Sequence, residues 1–481
     1  MPSYDFLTKA IAKEMQYYGI PGCAIGIIRE GQVEYLNFGY ADVERAIKFT
    51  PDTISGIGSC TKSMTAFAVL RLAERGAINL DQPIAEYIEG FQMWDEEATK
   101  KVTLRDMLCH RTGVGGHDAT WPDNNITRIE FLERLQHLEP NLPFRSLAQY
   151  SNVMYAAVGG VLEAVTGQKW EEIMREEVFV PLGMTDSYCL MDEVESLPNC
   201  ARPYWWNQGL QRIPRWNIDM AGPCGSVMSS ARDMLNWLSM NIEQGVWQGE
   251  RLLKEASFQD FHQVQIPMEY PHLKGGHSLG YALGWRVLDY HGHLVQQHTG
   301  KIEGYSAFQF YVPEKKSGAV FLHNMHAPLN PLIFTMQGLL LDHFLDREPF
   351  DWVSLYTEQL EHAPEDMYHH LEFDYVPLKP EVIKSRSLAL KGYVGSFFNP
   401  GYGTFQVVEE RGGLWLHERE VFYCPIEHFN GDVFVVSGIK TDTDLYKLPL
   451  EFLVDKDSQK VISFTIPLEP KVKPLTFVRS K

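Results

Sequence analysis

From Ser59 to Glu74, Met64, Phe67, Ala68, Val69, Leu70, Leu72 and Ala73 are spread round nearly the whole circumference of a helix, and Gly76 stands as its stop. A helix with no polar face cannot lie on a surface, so it needs packed layers around it. The flanking patterns supply them. An amphipathic helix over Met1 to Met15 leads into two strands in Cys23 to Ala41, with a turn at Glu30-Gly31. After about Ser278, GYALGWRVLDY, GHLVQQHTG, SAFQFYVP and GAVFLHN alternate as strands, and a helix is expected near Leu329 to Leu345. Between them, Leu80 to Trp237 reads as mostly helical. Its start signals are Thr103 with Asp106 and Ser230 with Asp233, and it carries long loops around Gly113 to Asp123 and Tyr204 to Trp216. The whole predicts an α/β sandwich with an antiparallel sheet, flanking helices and a helical insertion.

At 481 residues the chain exceeds what one core holds, about 250 to 300 residues. The pattern assigns 1–347 to this first domain and 348–385 to a linker. That linker is acidic over Arg347 to His370, where a helix is expected, and reads Val376-Pro377-Leu378-Lys379-Pro380 further on. Over 386–481 short alternating strands turn at Asn399-Pro400-Gly401, Arg411-Gly412-Gly413 and Asn430-Gly431-Asp432, which predicts a small all-β barrel or sandwich.

A net charge of -19 argues against nucleic acid and anionic membrane as partners, because both favour a concentrated basic face. No run of about 18 apolar residues occurs, so no membrane span is expected. Met1 to Met15 lacks the apolar stretch and small-residue cleavage site of a signal peptide, which predicts a cytoplasmic protein. The seven cysteines are odd in number, scattered and without a CxxC pair, against both a disulfide framework and a zinc site. His291-Gly292-His293 and His369-His370 lack the carboxylate and spacing of a metal site. No cofactor is expected.

Three motifs carry chemistry: Ser59-Cys60-Thr61-Lys62, Tyr150-Ser151-Asn152 and His298-Thr299-Gly300. A serine hydroxyl needs a base in reach and donors aimed at the oxyanion it creates. Three residues apart on a helix, Ser59 and Lys62 share one face, so the amine reaches the hydroxyl. Ser59 also lies at a helix start, where free N–H groups favour negative charge. Tyr150 is the expected second proton carrier, with Asn152 orienting Lys62 and the substrate amide. His298 is placed to hydrogen-bond Tyr150. With His298 on a strand edge, Thr299 and Gly300 are expected to bind substrate, glycine permitting close approach of a ligand, and the N–H of Lys301 pairs with that of Ser59 as oxyanion donor. Each element also has an ordinary reading: Ser59 as a cap, Lys62 as a surface residue, Tyr150 as a core phenol, His298 as a structural histidine.

These motifs, with IPGCAIGII (20–28), VTLRDMLCHRTGV (102–114), YSNVMYAAVGGVLEAVTG (150–167), VFVPLGMTDS (178–187), GSVMSSARDM (225–234) and LGYALGW (279–285), make residues 10–345 resemble the serine beta-lactamase-like and penicillin-binding-protein-like hydrolases. The branch resembled holds class C lactamases, D-aminopeptidases, esterases and cytosolic serine peptidases. The resemblance implies an acyl-enzyme serine hydrolase of small peptides or amides, D-residues included, with an esterase or acyltransferase, and a ligand-binding sensor without turnover, as alternatives. The family often has Lys-Thr-Gly as its third motif; His298 in place of that lysine weakens the expected grip on a substrate carboxylate. Lys316-Ser317-Gly318 falls in a turn and is a decoy. So is Gly276-His277-Ser278-Leu279-Gly280, which matches a nucleophile elbow but lacks the strand before and helix after. Cys60 has no base at a matching offset. The C-terminal barrel resembles, by pattern only, the lipocalin-like tail of some relatives, with packing, oligomerisation of a second copy, or gating as its roles. Trp121, Trp205, Trp206 and Trp216 are loop residues that could line a substrate pocket.

Overall fold

The computed structural model describes residues 4–122, 125–206, 209–270, 273–326, 331–361, 384–419, 422–441 and 444–480. The linker motif Val376 to Pro380 and the pair His369-His370 lie outside them. The longer helices among the described residues are α1 (Asp5–Tyr18), α2 (Thr61–Glu74), α3 (Asn152–Thr166), α4 (Ala231–Ile242), α5 (Pro331–Phe344) and α6 (Trp352–Glu361).

Strands β1 (Gly22–Arg29) and β2 (Gln32–Asp42) form the expected hairpin. Glu30 (φ 51°) and Gly31 (φ 80°) supply the two left-handed positions of a tight turn. With β3 (Ile47–Lys48), β4 (Gly276–Tyr281), β5 (Arg286–Tyr290), β6 (His293–Ile302), β7 (Tyr305–Val312) and β8 (Ser317–His323) they make one eight-stranded antiparallel sheet, in the order β4-β5-β6-β7-β8-β1-β2-β3. Strand β1 is buried on both faces, which is why it reads as a continuous apolar run. Cys23, Ile25 and Ile27 meet Leu7 and Ile11 of α1 and Leu332, Met336 and Leu340 of α5. Ala24 and Ile28 belong to the opposite core, with Met64, Phe67 and Leu235. Each fully buried isoleucine contributes roughly 1.5–3 kcal/mol.

Helix α2 lies inside that second core with eleven of its residues buried, from Thr61 to Leu72. A polar staple fixes it against the sheet: Gln309 on β7 donates to Ser63 Oγ (3.0 Å) and accepts from Trp237 Nε1 (3.0 Å). Thr103 and Asp106 form the full capping box, and Ser230 Oγ caps α4 by accepting from Asp233 N–H.

Two expectations are corrected. GYALGWRV is not one strand, because Ala282 N–H bonds Trp285 O (2.8 Å) and the chain turns between β4 and β5. Tyr204 to Trp216 is more than a loop: Tyr204–Trp206 pairs with Leu210–Arg212 and with Met325–His326.

Strands β9 (Gly395–Asn399), β10 (Gly403–Glu410), β11 (Gly413–Glu418), β12 (Phe422–Asn430), β13 (Val433–Thr441), β14 (Asp444–Asp455), β15 (Lys460–Ile466) and β16 (Leu475–Arg479) close into a barrel. Phe397, Phe405, Phe452, Phe464 and Phe477 fill it in mutual ring contact.

Candidate active site

The chain enters α2 through a 3-10 turn, Gly58–Cys60, which leaves Ser59 half-buried while Lys62, one turn on, is fully buried. Lys62 Nζ donates to Ser59 Oγ (2.9 Å), Asn152 Oδ1 (2.8 Å) and the carbonyl of Cys224 (2.9 Å). Tyr150 O–H reaches the same Ser59 Oγ at 2.9 Å. Three groups expected to meet therefore do meet, and the amine and the phenol touch one hydroxyl from two sides. Lys62 Nζ also lies 4.8 Å from the centre of the Tyr150 ring.

Strand β6 presses against the turn that carries Ser59. A Cβ built on Gly300 would lie 1.8 Å from Ile57 O and 3.1 Å from Ser59 N, so only glycine fits. Glycine here serves a close approach of two protein backbones. Gly58 (φ 47°) answers it, since a Cβ there would meet Lys301 N at 2.4 Å. The main-chain amides of Ser59 and Lys301 consequently lie on facing backbones, as an oxyanion site requires.

His298 departs from its expected role. Its Nδ1 faces Thr299 O (2.6 Å), so that nitrogen carries the hydrogen in the neutral ring, and Nε2 accepts from Tyr281 O–H (2.9 Å). Tyr150 is only a ring neighbour, 6.4 Å between centroids. Burial, with Arg286 and Lys62 nearby, pushes the His298 imidazole well below its ordinary range and keeps it neutral.

Three further residues carried no local signal. His110, also held neutral by burial, accepts Ser151 N–H at 3.2 Å and packs its ring 4.4 Å from that of Tyr150. Asp118 accepts from Asn152 Nδ2 (3.0 Å), which engages one of the two hydrogens on the amide nitrogen expected to orient substrate. Arg286, opposite Gln297 on the neighbouring strand, donates to Thr299 Oγ1 (3.2 Å), while its Nε is buried without a partner. The missing lysine of the third motif therefore does not leave the site without a fixed cation.

The decoys lie elsewhere. Ser278 sits inside β4 with its hydroxyl donating to Tyr270 O (3.2 Å). Lys316 pairs with Glu243 on the surface. Cys60 is fully buried, its thiol pushed up by desolvation, and donates to His298 O. Trp121 and Trp216 line a narrow crevice with Arg215, Ile302, Glu303 and Tyr305. Trp205 and Trp206 are on the separate small sheet. Among the described residues no group of three or more His, Cys, Asp or Glu could hold a metal ion, and no helix is long and apolar enough to cross a membrane.

This sheet, with Ser-x-x-Lys at the mouth of a buried helix, Tyr-x-Asn opening a second and His-Thr-Gly on the strand beside them, defines the class of beta-lactamase-like and penicillin-binding-protein-like serine hydrolases. The chain belongs to the beta-lactamase family, whose profile matches residues 7–332. Residues 379–479 match a domain of unknown function, DUF3471. The unguisins hydrolase of Aspergillus campestris is 24% identical over 439 residues, covering 87% of this chain and 79% of its own. Penicillin-binding protein 4 of Amycolatopsis lactamdurans is 27% identical over 314 residues, 63% of this chain and 81% of its own. Among solved structures, the octameric penicillin-binding protein homologue from Pyrococcus abyssi superposes with TM-score 0.62 at 23% identity, covering 99% of both chains. The D-amino acid amidase of Ochrobactrum anthropi SV3 gives 0.59 at 22% identity, covering 71% of this chain and 98% of its own.

Proposed function

We propose that the protein hydrolyses small peptides or amides through an acyl-enzyme on Ser59. The observation that carries this reading is the double contact on Ser59 Oγ, from Lys62 Nζ and from Tyr150 O–H, each at 2.9 Å. The hydroxyl oxygen attacks the carbonyl carbon and its proton passes to whichever of Lys62 or Tyr150 is deprotonated. The charge that develops on the carbonyl oxygen faces the N–H groups of Ser59 and Lys301. When the intermediate collapses, the C–N bond breaks and the leaving nitrogen receives that proton through Tyr150. Water then attacks the ester by the same route, releasing the acid and restoring the hydroxyl.

Arg286 makes no ion pair with a protein carboxylate among the described residues, and it stands one strand from Thr299. It suits a substrate whose free carboxylate lies beside the scissile amide. The names of a D-amino acid amidase and a hydrolase among the relatives support an amide, D-residues included. A cytoplasmic location and a second copy of the chain as partner belong to the same proposal.

The test is labelling by a fluorophosphonate and turnover of p-nitroanilides of D- and L-amino acids beside p-nitrophenyl esters. Ser59→Ala abolishes both, and Ser278→Ala keeps both. Turnover of esters alone moves the assignment to an esterase, and labelling without turnover of anything moves it to ligand capture. Full activity in Ser59→Ala refutes the mechanism.

A further inference from the structure

The C-terminal barrel meets the catalytic domain at the loop that carries Asp118. Lys62 is held by Asn152, and Asn152 by Asp118, whose Oδ1 also accepts from Trp121 Nε1 (3.0 Å). Asp118 follows His117, whose backbone is left-handed (φ 44°, ψ 37°). A non-glycine residue keeps that conformation only where its surroundings dictate it, at a cost of about 1–3 kcal/mol.

Much of what dictates it comes from the barrel. His117 N–H donates to Glu469 Oε2 (2.7 Å), and its Nδ1 lies 2.6 Å from Tyr402 O–H, while Nε2 meets Glu139 O at 3.0 Å. Burial pushes this imidazole down to about 4, so the ring is neutral. The nitrogen facing the Glu139 carbonyl carries the hydrogen, which leaves Nδ1 to accept from Tyr402. At the other end of the loop, Arg419 donates to Ala119 O (3.0 Å) and Pro122 O (2.7 Å).

Glu469 is 4% exposed and, among the described residues, forms no salt bridge; its second oxygen takes Lys471 N–H (3.3 Å). A surface built only for adhesion would not bury a carboxylate without a counter-ion, because desolvating it is costly. We propose that Glu469 and Tyr402 are positioning residues for Lys62, acting through the 116–122 loop, so that the barrel completes the proton-transfer site. The proposal rests on Ser59 being the nucleophile and Lys62 a proton carrier.

The chain of contacts carries a pH signature. Asp118 is faced by Lys62, His117, Tyr402 and Glu469, with Asn152 and Trp121 donating to it. Desolvation raises its proton affinity and the Glu469 charge raises it further. A protonated Asp118 is a poorer acceptor for Asn152, so the reaction weakens toward acid. Removing the charge at 469 moves that acid limb to lower pH.

The experiment measures the rate of fluorophosphonate labelling, and kcat and KM for a p-nitroanilide that the wild type turns over, from pH 4.5 to 8 on the full chain. Glu469→Ala lowers the labelling rate and kcat by about tenfold or more, with KM within about twofold, as a small displacement of a catalytic group does. Glu469→Gln keeps an oxygen for His117 N–H, so it restores most of the rate while its acid limb moves down; Tyr402→Phe gives a smaller loss. A folded Glu469→Ala that labels at the wild-type rate overturns the proposal. Should that variant not fold, an unshifted acid limb in Glu469→Gln does the same. A wild type that takes no label refutes the hydrolase reading first, and is told apart by failing before any barrel variant is compared.

Discussion

Tyr150 O–H donates to Ser59 Oγ across 91 positions of chain, joining the start of α3 to the mouth of α2 at 2.9 Å. Lys62 Nζ meets the same oxygen, so in the proposed mechanism the amine and the phenol would serve one proton rather than two.

Lys62→Met and Tyr150→Phe are therefore expected to lower the acylation rate by about 10²–10⁴ each. The double variant should lose far less than the product of the two, since groups that act as a unit are not additive. Stopped-flow release of p-nitroaniline gives the rates, and multiplicative losses would contradict a shared route.

Arg286→Ala should raise KM for substrates carrying a free carboxylate next to the scissile bond, and leave their amidated counterparts nearly unchanged. A charge-assisted hydrogen bond of about 1.5–3 kcal/mol corresponds to roughly 10- to 150-fold. Equal effects on both substrates would remove Arg286 from carboxylate recognition.

Gly300→Ala should separate the Ser59 and Lys301 amides, because the added Cβ would lie 1.8 Å from Ile57 O and one of two backbones must move. Losing one oxyanion donor costs about 10²–10³ in kcat. Unchanged turnover of a p-nitroanilide by a folded variant would show that this spacing does not matter.

His323 is fully buried on the sheet, and burial alone pushes its pKa down to about 3. The unfolded chain binds a proton there below about 6.5 while the native chain does not, so stability is present above that pH and is lost as pH falls toward 3. At pH 4.5 the loss is on the order of 2–3 kcal/mol. Glu14, raised to about 7 by burial, and Asp233, raised to about 6, act with the opposite sign. The comparison is therefore between the wild type and His323→Gln, whose unfolding free energy should fall less between pH 7.5 and 4.5. Identical slopes would exclude a neutral His323.

The elements that local spacing dictates were legible in the sequence. Helix α2 and its Ser59–Lys62 face, the Glu30-Gly31 hairpin and the Thr103–Asp106 capping box each depend on residues within one or two turns of one another. Contacts made through sheet register were not. His298 was expected to bond Tyr150, but Tyr281 takes its Nε2. Arg286 reaches Thr299 only because β5 pairs Arg286 with Gln297. Asp118 and Glu469, 351 positions apart, approach through a loop and a barrel edge that show no periodicity.

By itself the sequence determined the buried helix, the two-sided sheet, the β-rich tail and the order of the three motifs, since periodicity and short spacings act along the chain. Only the tertiary structure decided which phenol faces His298, where the fixed cation stands and how the barrel grips the 116–122 loop. Those contacts join residues far apart in sequence, and long-range pairing is set by packing and strand register, which local pattern does not encode.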